Sequence, residues 1–426
     1  MRKSDKEGKY RGRVVKKIIF LGGFPQMIDI VFVAREMGIY TIVVDRNEKS
    51  PAKQFADEAI NISTDNIDEI EKFCIENGVD GVFTGFEDFN IHIAQELCER
   101  LNMPFYATKE QLKIITNKDR FKKECRKYGV PVIEQYDFDE AVALKKYPYI
   151  VKPADSYGSR GITIAKNEED LKNGLKKAVL VSQTSTAVIE RFIGTSYGTE
   201  LFYTIINEKI YLTVTADRYT VRTEDTTVPL PVAEVFPSKH RDEMVRTIDK
   251  NIREMLKGMG IKNGLVLIQA LYEDGEFFVY EMAYRFTGEQ HYRLVLSQNG
   301  VSLAKFMIKL ALSEDVSDFE TDLLKDESFT KPSINLAVVL KPGTIKEITG
   351  LDKVYQIDEV ISYNLTHKNG DCVNASGDYS HMLIRVNMVA ENYEKLKKAI
   401  KNVRDYVRVT SCEGEDMIVS PFVLEE

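Results

Sequence analysis

The chain has 426 residues, of which 43% are apolar and 29% charged, which is typical of a soluble globular protein too long for a single hydrophobic core. Its 58 lysines and arginines against 66 aspartates and glutamates give a formal net charge of −8, which argues against a nucleic-acid surface as the main function. The five cysteines form no C-x-x-C pair, and no apolar run reaches the roughly 18 residues of a membrane span. We therefore expect free thiols, no membrane partner and a cytoplasmic location.

Alternating strand and helix patterns occupy residues 16–115, after a basic stretch over residues 1–15 that we expect to be a mobile tail. This alternation predicts a parallel sheet with crossover helices, in which ligands lie beyond the carboxyl ends of the strands. Those ends carry Gly22-Gly23, Asp45 and the loop 84–88. The predicted strands are KKIIFLGG from Lys16, Tyr40–Asp45, residues 59–63 and GVDGVFTG from Gly78.

A dinucleotide-binding domain with Asp45 on a ribose is one interpretation of this front region. The turn Gly22-Gly23-Phe24-Pro25-Gln26 is not G-x-G-x-x-G, so the close approach of a pyrophosphate is not provided for. A dehydrogenase-like protein therefore stays an alternative only.

The segment from Pro148 to Gly161 has the pattern strand, small-residue loop, strand. Tyr149-Ile150-Val151 predicts a buried strand, Lys152 follows it, and Ser156, Gly158, Ser159 and Gly161 supply the loop before a second strand at 162–165. Such loops let backbone N–H groups converge on phosphate oxygens, and a lysine adds a point charge. This is not a Walker loop, because a strand follows where a helix should. An ordinary hairpin turn with a surface lysine is the alternative.

Two further segments flank this loop. Thr116 or Asn117 is expected to cap a helix that ends at Gly129 and has Lys118 in its first turn, where a helix N-terminus favours an anion. A solvated surface lysine is the plainer interpretation of Lys118. After a helix near 168–178, a strand at 187–189 leads into Glu190-Arg191-Phe192-Ile193, whose extended backbone and apolar side chains suit a planar ring.

The next region is predicted to contain two antiparallel strands around Asn207-Glu208, a polar loop over 222–237 and a helix that ends at Gly258 or Gly260. A hairpin with strands 265–272 and 276–282 then turns at Asp274-Gly275. Its alternation brings Gln269 and Glu281 face to face, a reasonable cradle for Mg²⁺.

Taken in order, Lys118, the Val-Lys-Pro loop, Glu-Arg-Phe-Ile and Glu-Met-Ala-Tyr-Arg resemble the motifs of the ATP-grasp superfamily. The resemblance is to carboxylate–amine and L-amino-acid ligases, related to the carbamoyl-phosphate synthase and biotin carboxylase core. It implies an α/β and α+β chain with the ATP-grasp fold. The implied domains are a Rossmann-like parallel-sheet domain over 16–115, an ATP-grasp domain over 116–315 with a lid at about 130–200, and an α+β domain over 330–426.

In such ligases ATP phosphorylates a carboxylate, ADP leaves, and an amine attacks the acyl phosphate. The resemblance implies ATP and Mg²⁺ as cofactors and a small carboxylate–amine pair as substrates, with a homodimer as an option and neither nucleic acid nor membrane as partner. It implies catalytic roles for Arg285 and Lys152 and metal ligation by Gln269 and Glu281. The residues implied in ATP binding are Lys118, Lys152, Ser156, Gly158, Ser159, Gly161, Glu190, Phe192, Ile193 and Glu200, and those implied in acceptor binding are Gly23, Glu87 and His291.

The sequence departs from the family pattern at the metal site. Gln269 stands where Glu is usual, and Ala283 stands where Asn is usual. One metal ion, help from Glu289, or weakened turnover are all compatible with this. An ATP-binding regulatory protein with a degenerate metal site is therefore the alternative function. A structural salt bridge is the alternative for Arg285, and helix-start roles are the alternatives for Glu87 and His291.

Overall fold

A computed structural model of the chain describes residues 15–155, 161–221, 229–325, 330–374, 381–419 and 422–424. Ser156, Gly158 and Ser159 of the predicted phosphate loop lie outside these ranges. Among the described residues, no helix is both long and apolar enough to cross a membrane.

The N-terminal region is a four-stranded parallel sheet with helices in its crossovers, which confirms the predicted topology. The strand order is β3-β2-β1-β4, and β1 pairs in parallel with both of its neighbours. The order places the ends of β1, β2 and β4 beside one another. The elements are β1 (Lys17–Leu21), α1 (Met27–Glu36), β2 (Tyr40–Val44), β3 (Glu58–Ile60), α2 (Ile67–Asn77), β4 (Gly81–Phe83), α3 (Asp88–Arg100) and α4 (Lys109–Thr116).

A smaller antiparallel sheet of order β5-β8-β6-β7 follows, with one long helix packed on it. The predicted strand–loop–strand unit is confirmed, because Tyr149, Ile150 and Val151 pair with Ala165, Ile164 and Thr163. The elements are α5 (Lys118–Lys127), β5 (Gln135–Tyr136), α6 (Phe138–Leu144), β6 (Tyr149–Pro153), β7 (Thr163–Ala165), α7 (Glu168–Val181) and β8 (Ala187–Arg191).

An eight-stranded sheet of order β13-β12-β9-β10-β11-β14-β18-β16 forms the centre of the molecule. Five of its strands precede residue 330, and β14, β18 and β16 from the C-terminal region complete it. Strands β17, β15 and β19 form a separate small sheet. The remaining elements are β9 (Tyr197–Ile206), β10 (Lys209–Val221), β11 (Leu230–Phe236), α8 (Arg241–Met244), a π-helical turn (Val245–Asp249), α9 (Lys250–Gly258), β12 (Gly264–Glu273), β13 (Glu276–Ala283), α10 (Tyr292–Asn299), α11 (Leu303–Ala311), α12 (Asp318–Lys325), β14 (Ser333–Val339), β15 (Gly343–Thr349), α13 (Leu351–Val354), β16 (Val360–Leu365), β17 (Cys372–Val373), β18 (Met382–Val389), α14 (Tyr393–Tyr406) and β19 (Arg408–Ser411).

Both predicted hairpins are present in this sheet. Asn207 and Glu208 have φ of 51° and 70°, and Asp274 and Gly275 have φ of 52° and 84°, the left-handed geometry of tight two-residue turns. Gln269 and Glu281 are direct cross-strand partners, as the alternation predicted.

The prediction of a polar loop over 222–237 is wrong for its second half. Residues 230–236 form β11, which pairs with β10 on one side and β14 on the other. Proline is usually excluded from central strands, but Pro231 is the second residue of β11, where the pairing with β10 is irregular and the missing backbone N–H is tolerated. This correction brings Glu234 into the middle of the sheet.

One hydrophobic core joins the N-terminal sheet to the helices that follow β13. Ile18 and Phe20 of β1 share a cluster of buried side chains with Phe286, Leu294 and Phe306. Burial of this kind contributes roughly 1.5–3 kcal/mol for each large apolar side chain. The loops at the ends of β1, β2 and β4 are therefore held against the residues that follow the β12–β13 hairpin.

Candidate functional site

A buried ion cluster lies where the small sheet meets α5. Lys152, near the end of β6, places its Nζ 2.9 Å from Glu190 Oε2, and Lys122 of α5 places its Nζ 2.7 Å from Glu190 Oε1. Glu190 and Lys122 are fully buried, and Lys152 is 7% exposed. Two lysines thus share one carboxylate beside the loop.

Burial and neighbouring charges shift the pKa values of this cluster. Burial acts to raise the pKa of Glu190, but the ammonium groups of Lys152 and Lys122 outweigh it, and the pKa falls below its ordinary value. Burial, assisted by the charge of Lys152, lowers the pKa of Lys122 to about 7. Glu190 is therefore a firm anion, and Lys122 loses its proton far more easily than a surface lysine.

The base of the predicted phosphate loop is fixed on both sides. Asp155 accepts hydrogen bonds from Ser182 Oγ at 2.6 Å and from the backbone N–H of Thr184 at 2.8 Å, which ties it to the residues that follow α7. Gly161 closes the loop with φ of 76°, and a Cβ there would lie 2.8 Å from Pro153 Cγ. Only glycine fits this closure without strain.

Lys118 lies at the first position of α5, in a cleft. Asn117 caps the helix by accepting from Arg120 N at 3.0 Å, and Lys118 N donates to Ala154 O at 2.7 Å, which joins the helix start to the loop base. Residues from four parts of the chain line the cleft, among them Asp88, Thr116, Lys118, Asp155, Tyr280 and Glu281. Burial lowers the pKa of Lys118, while the nearby Glu281 carboxylate acts in the opposite direction.

The β12–β13 hairpin contributes the Glu281 carboxylate to this cleft. Glu281 is exposed, whereas Gln269 is engaged: its Nε2 donates to Glu200 Oε1 at 2.6 Å, and its Oε1 accepts from Tyr280 OH at 3.2 Å. Magnesium is commonly held by one or two carboxylates together with substrate phosphates. The donor set therefore fits a nucleotide-bound Mg²⁺ through Glu281, and metal ligation by Gln269 stays a prediction.

Arg285, which follows the hairpin, makes a two-pronged ion pair with Asp88 at the start of α3. Its Nε lies 2.6 Å from Asp88 Oδ1 and its Nη2 lies 3.0 Å from Oδ2. Burial alone would lower the pKa of Arg285, but the Asp88 carboxylate outweighs it and raises that pKa. The guanidinium is thus a fixed positive charge beside the cleft.

Glu87, Gly23 and Asp45 also lie at strand ends of the N-terminal sheet. Burial raises the pKa of Glu87, and the nearby Arg285 opposes this shift. Gly23 N donates to Asp45 Oδ2 at 2.8 Å, and Asp45 Oδ1 accepts from Asn47 N at 2.8 Å. Because both oxygens of Asp45 bind the local backbone, this carboxylate is poorly placed to bind a ribose.

Glu200, His291 and Glu234 form a buried cluster on the central sheet. His291 Nε2 lies 2.6 Å from Glu234 Oε2, and its Nδ1 lies 2.7 Å from Thr287 Oγ1. Arg218 Nε lies 3.6 Å from Glu200 Oε1. The predicted ribose contact of Glu200 and the predicted acceptor contact of His291 stay predictions.

Burial dominates the electrostatics of this cluster. Burial, with the Glu234 charge, raises the pKa of Glu200 to about 8, and burial, with the Glu289 charge, raises that of Glu234 to about 8. Burial lowers the pKa of His291 to about 4. Burial therefore favours the neutral forms of Glu200, Glu234 and His291.

The predicted adenine-binding segment follows β8. Ile193 is 4% exposed and Phe192 is half-buried, and both follow Arg191, the residue after the ion-paired Glu190. The structure therefore places Lys118 and Glu281 in the lining of one cleft, and the charges of Lys152 and Glu190 act on Lys118. The roles of Phe192 and Ile193 in ring binding stay predictions.

Three functional candidates were missed by sequence reasoning. Lys122 follows Lys118 by four residues and so lies on the same face of α5, a signal that was available. Asp88 was considered only as the last residue of the loop 84–88, and its pairing with Arg285 spans 197 residues. Glu234 was assigned to a loop, so its side chain was not considered.

Comparisons with known proteins agree with this geometry. Residues 117–319 match the family described as "Carbamoyl-phosphate synthase L chain, ATP binding domain". Biotin carboxylase 1 of Bacillus subtilis is 24% identical over 348 residues, 73% of this chain and 73% of that protein. The C-terminal section of the carbamoyl phosphate synthase large chain of Methanocaldococcus jannaschii is 21% identical over 404 residues, 88% of this chain but 63% of that protein.

Solved structures share the fold along almost the whole chain. The L-amino acid ligase of Bacillus licheniformis superposes with a TM-score of 0.75 at 18% identity, covering 93% of this chain and 98% of that one. The biotin carboxylase domain of the Hydrogenobacter thermophilus 2-oxoglutarate carboxylase, in complex with MgADP, ADP and bicarbonate, gives 0.73 at 18% identity, covering 95% and 92%. The predicted ATP-grasp fold and the predicted resemblance to the carbamoyl-phosphate synthase and biotin carboxylase core are confirmed.

Proposed function

We propose that this chain, whose residues 117–319 match the carbamoyl-phosphate synthase ATP-binding domain, is an ATP-dependent ligase that activates a carboxylate as an acyl phosphate, releases ADP, and joins the acyl group to an amine. The observation that carries the proposal is the cleft at the start of α5, which Lys118 and Glu281 both line, beside the Lys152–Glu190–Lys122 cluster and the Arg285–Asp88 pair. ATP would supply the phosphoryl group that activates the carboxylate.

The residues of this chain would act by position and charge. Phosphoryl transfer needs little covalent help from the protein, so fixed positive groups around the phosphates carry most of the catalysis. Lys118 and Lys152 would hold the phosphate oxygens, and Arg285, oriented by Asp88, would stabilise charge on the group being transferred. Glu281 would hold the Mg²⁺ together with phosphate oxygens.

The small sheet would exclude water from the activated carboxylate. Its strands β6 and β7 flank the phosphate loop, and Asp155 ties the loop base to the residues after α7. A lid of this construction can close over the phosphates, which limits hydrolysis of a reactive acyl phosphate.

The test measures ADP release by the purified full chain with a panel of small carboxylates, each paired with a panel of amines. Lys152→Ala should lower the turnover by about 10²-fold, as expected when a charge that stabilises the transferred phosphate is lost. Lys172→Ala is the matched control, since Lys172 lies on the outer face of α7 in an exposed pair with Glu168. Equal ADP release by Lys152→Ala and the wild type would contradict the proposal.

An ATP-binding regulatory protein is the second candidate, favoured by the engagement of Gln269 with Glu200 and Tyr280. Calorimetric titration with a non-hydrolysable ATP analogue, with Mg²⁺ and again with EDTA, separates the two. Binding that strengthens with Mg²⁺ supports the ligase. Binding that is indifferent to Mg²⁺, without ADP release from any substrate pair, supports the regulatory function.

A further inference from the structure

We propose that Glu200, Glu234 and His291 bind a divalent transition-metal ion, at a site separate from the nucleotide Mg²⁺ at Glu281. One ligand atom from each of the three residues lies within 4.8 Å of the others. The residues come from β9, β11 and the start of α10, so three separate segments converge on one point. This inference does not depend on the proposed ligase activity.

The cluster is closed to solvent. Glu200 and Glu234 are each 1% exposed, and His291 is 5% exposed. Phe202 and Phe236 pack on the imidazole ring, with ring centroids 4.2 Å and 5.3 Å from it. Two carboxylates in such a setting need a cation or protons to offset them.

Two carboxylate oxygens of the cluster have no hydrogen-bond partner among the described residues. They are Glu200 Oε2 and Glu234 Oε1. The other oxygen of Glu200, Oε1, lies 2.6 Å from Gln269 Nε2 and 3.6 Å from Arg218 Nε. The oxygens left over are donors for a metal, because buried carboxylate oxygens are otherwise almost always paired.

The imidazole is oriented as a metal ligand would be. Thr287 Oγ1 holds Nδ1 at 2.7 Å, which leaves Nε2 directed at the carboxylates. Metal-binding histidines almost always have their other ring nitrogen held by a hydrogen bond of this kind. Thr287 is thus a positioning residue for the site.

The ligand set selects the class of ion. One imidazole nitrogen and two carboxylate oxygens suit Zn²⁺, Fe²⁺ or Mn²⁺, whereas Mg²⁺ prefers oxygen ligands alone. A divalent ion would offset the charges of Glu200 and Glu234. The neighbouring Arg385 already has Glu289 as a partner, with Nη1 3.5 Å from Oε1.

The experiment strips the full chain with a chelator and then titrates it with Zn²⁺, and separately with Co²⁺, in the absence of nucleotide. We expect one Zn²⁺ per chain by elemental analysis after gel filtration, a higher melting temperature, and Co²⁺ absorption bands of a mixed nitrogen–oxygen site. His291→Asn should weaken Zn²⁺ binding by at least ~10-fold and change the Co²⁺ spectrum.

Glu281→Gln tests where the ion binds. Because Glu281 belongs to the nucleotide cleft, this substitution should leave Zn²⁺ binding by Glu200, Glu234 and His291 unchanged. Loss of the ion in Glu281→Gln would overturn the proposal, as would a wild-type chain that binds no Zn²⁺ at one equivalent. The second result would mean that protons and the two arginines satisfy the cluster. The Zn²⁺ and Co²⁺ titrations of the wild-type chain test the proposal even if His291→Asn does not fold.

Discussion

Lys122 shows how burial reshapes a single side chain at the site. It is fully buried against Glu190, which also binds Lys152. Breaking such a pair is costly, because the remaining charge is left in a medium that solvates it poorly. The second lysine makes this cluster tolerant, since either ammonium can still neutralise Glu190.

We expect Lys122 to make the stability of the chain rise with pH above neutrality. Its pKa is about 7 in the folded chain against an ordinary value of 10.5. Between these values the unfolded chain binds more protons at this group than the folded chain, so the free energy of unfolding increases with pH. Urea unfolding at several pH values from 7 to 9.5 should give a free energy of unfolding whose slope with pH is more positive in the wild type than in Lys122→Met, by at most about 1.4 kcal/mol per pH unit. Burial raises the pKa values of Glu200 and Glu234 to about 8, which opposes the rise equally in both chains.

Lys123→Met is the matched control for this experiment. Lys123 is the next residue of α5, with its side chain 70% exposed in a pair with Asp119. The free energy of unfolding of Lys123→Met should depend on pH as it does in the wild type. Parallel curves for Lys122→Met and the wild type would show that Lys122 keeps its proton in the folded chain. Glu190 does not interfere, because its lowered pKa lies below this pH range.

At this scale the sequence revealed the motif residues but not their partners. Lys118, Lys152 and Glu190 follow from local pattern, since each sits at a fixed place on a strand end or a helix start. Asp88 and Arg285 lie far apart along the chain, and no local rule joins them. The pairing exists only because the N-terminal sheet packs against the residues after β13.

Helix caps link the elements to the site. Asn117 caps α5, and the next residue is Lys118, whose backbone N–H binds the loop base at Ala154. The start of α5 therefore sets the position of a charged side chain as well as the stability of a helix. The predicted cap and the predicted helix end at Gly129 are both confirmed, with Gly129 at φ of 69°.

We expect Asn117→Ala to lower both stability and nucleotide affinity. Loss of an N-cap costs about 1 kcal/mol, and if the start of α5 frays, Lys118 is no longer held, a loss of roughly fivefold in affinity. The affinity for a non-hydrolysable ATP analogue, measured by calorimetry, and the melting temperature check this.

Asn392→Ala provides the control, because Asn392 caps α14 in the same way, accepting from Lys395 N at 2.9 Å. It should reduce stability similarly and leave nucleotide affinity unchanged. An affinity loss of equal size in both variants would mean that general destabilisation, not the position of Lys118, is responsible.

Strand prediction succeeded where polar and apolar residues alternate and failed where prolines interrupt the pattern. The β12–β13 hairpin has a clear period of two and a turn of the expected type. β11 has prolines at its start, so its apolar centre was assigned to a loop. Its burial between β10 and β14 depends on β14, which comes about 100 residues later and is invisible to a local pattern.

At the scale of the whole molecule, the N-terminal region contacts the segment that follows the β12–β13 hairpin. Tyr106 and Tyr284 each donate a side-chain hydrogen bond to the other's backbone carbonyl, at 3.0 Å and 2.9 Å. Asp29 of α1 accepts from Tyr292 OH at 2.8 Å and pairs with Arg293. The strand-end loops and the cleft are thus parts of one assembly.

Substitution of Asp88 and of Asp29 distinguishes two roles of the N-terminal region. One role is to hold the segment 284–293 in place, and the other is to position Arg285 at the cleft. Both pair with an arginine of this segment, and both arginines are similarly shielded, with side chains 13% and 21% exposed. Asp88→Asn and Asp29→Asn should therefore each cost about 2 kcal/mol of unfolding free energy, less than a fully buried pair because of the residual exposure.

Turnover should distinguish the two variants. Asp88→Asn leaves Arg285 without the carboxylate that orients it, so ADP release should fall about tenfold or more, since small misplacements of a catalytic group are costly. Asp29→Asn should keep its turnover within about twofold at temperatures where it is folded, because Asp29 and Arg293, unlike Asp88, are not among the cleft-lining residues. Steady-state ADP release with one active substrate pair checks both. Equal turnover losses would mean that the N-terminal sheet acts on the cleft only by holding the segment 284–293 in place. A loss confined to Asp88→Asn would mean that it also positions the phosphate-facing guanidinium.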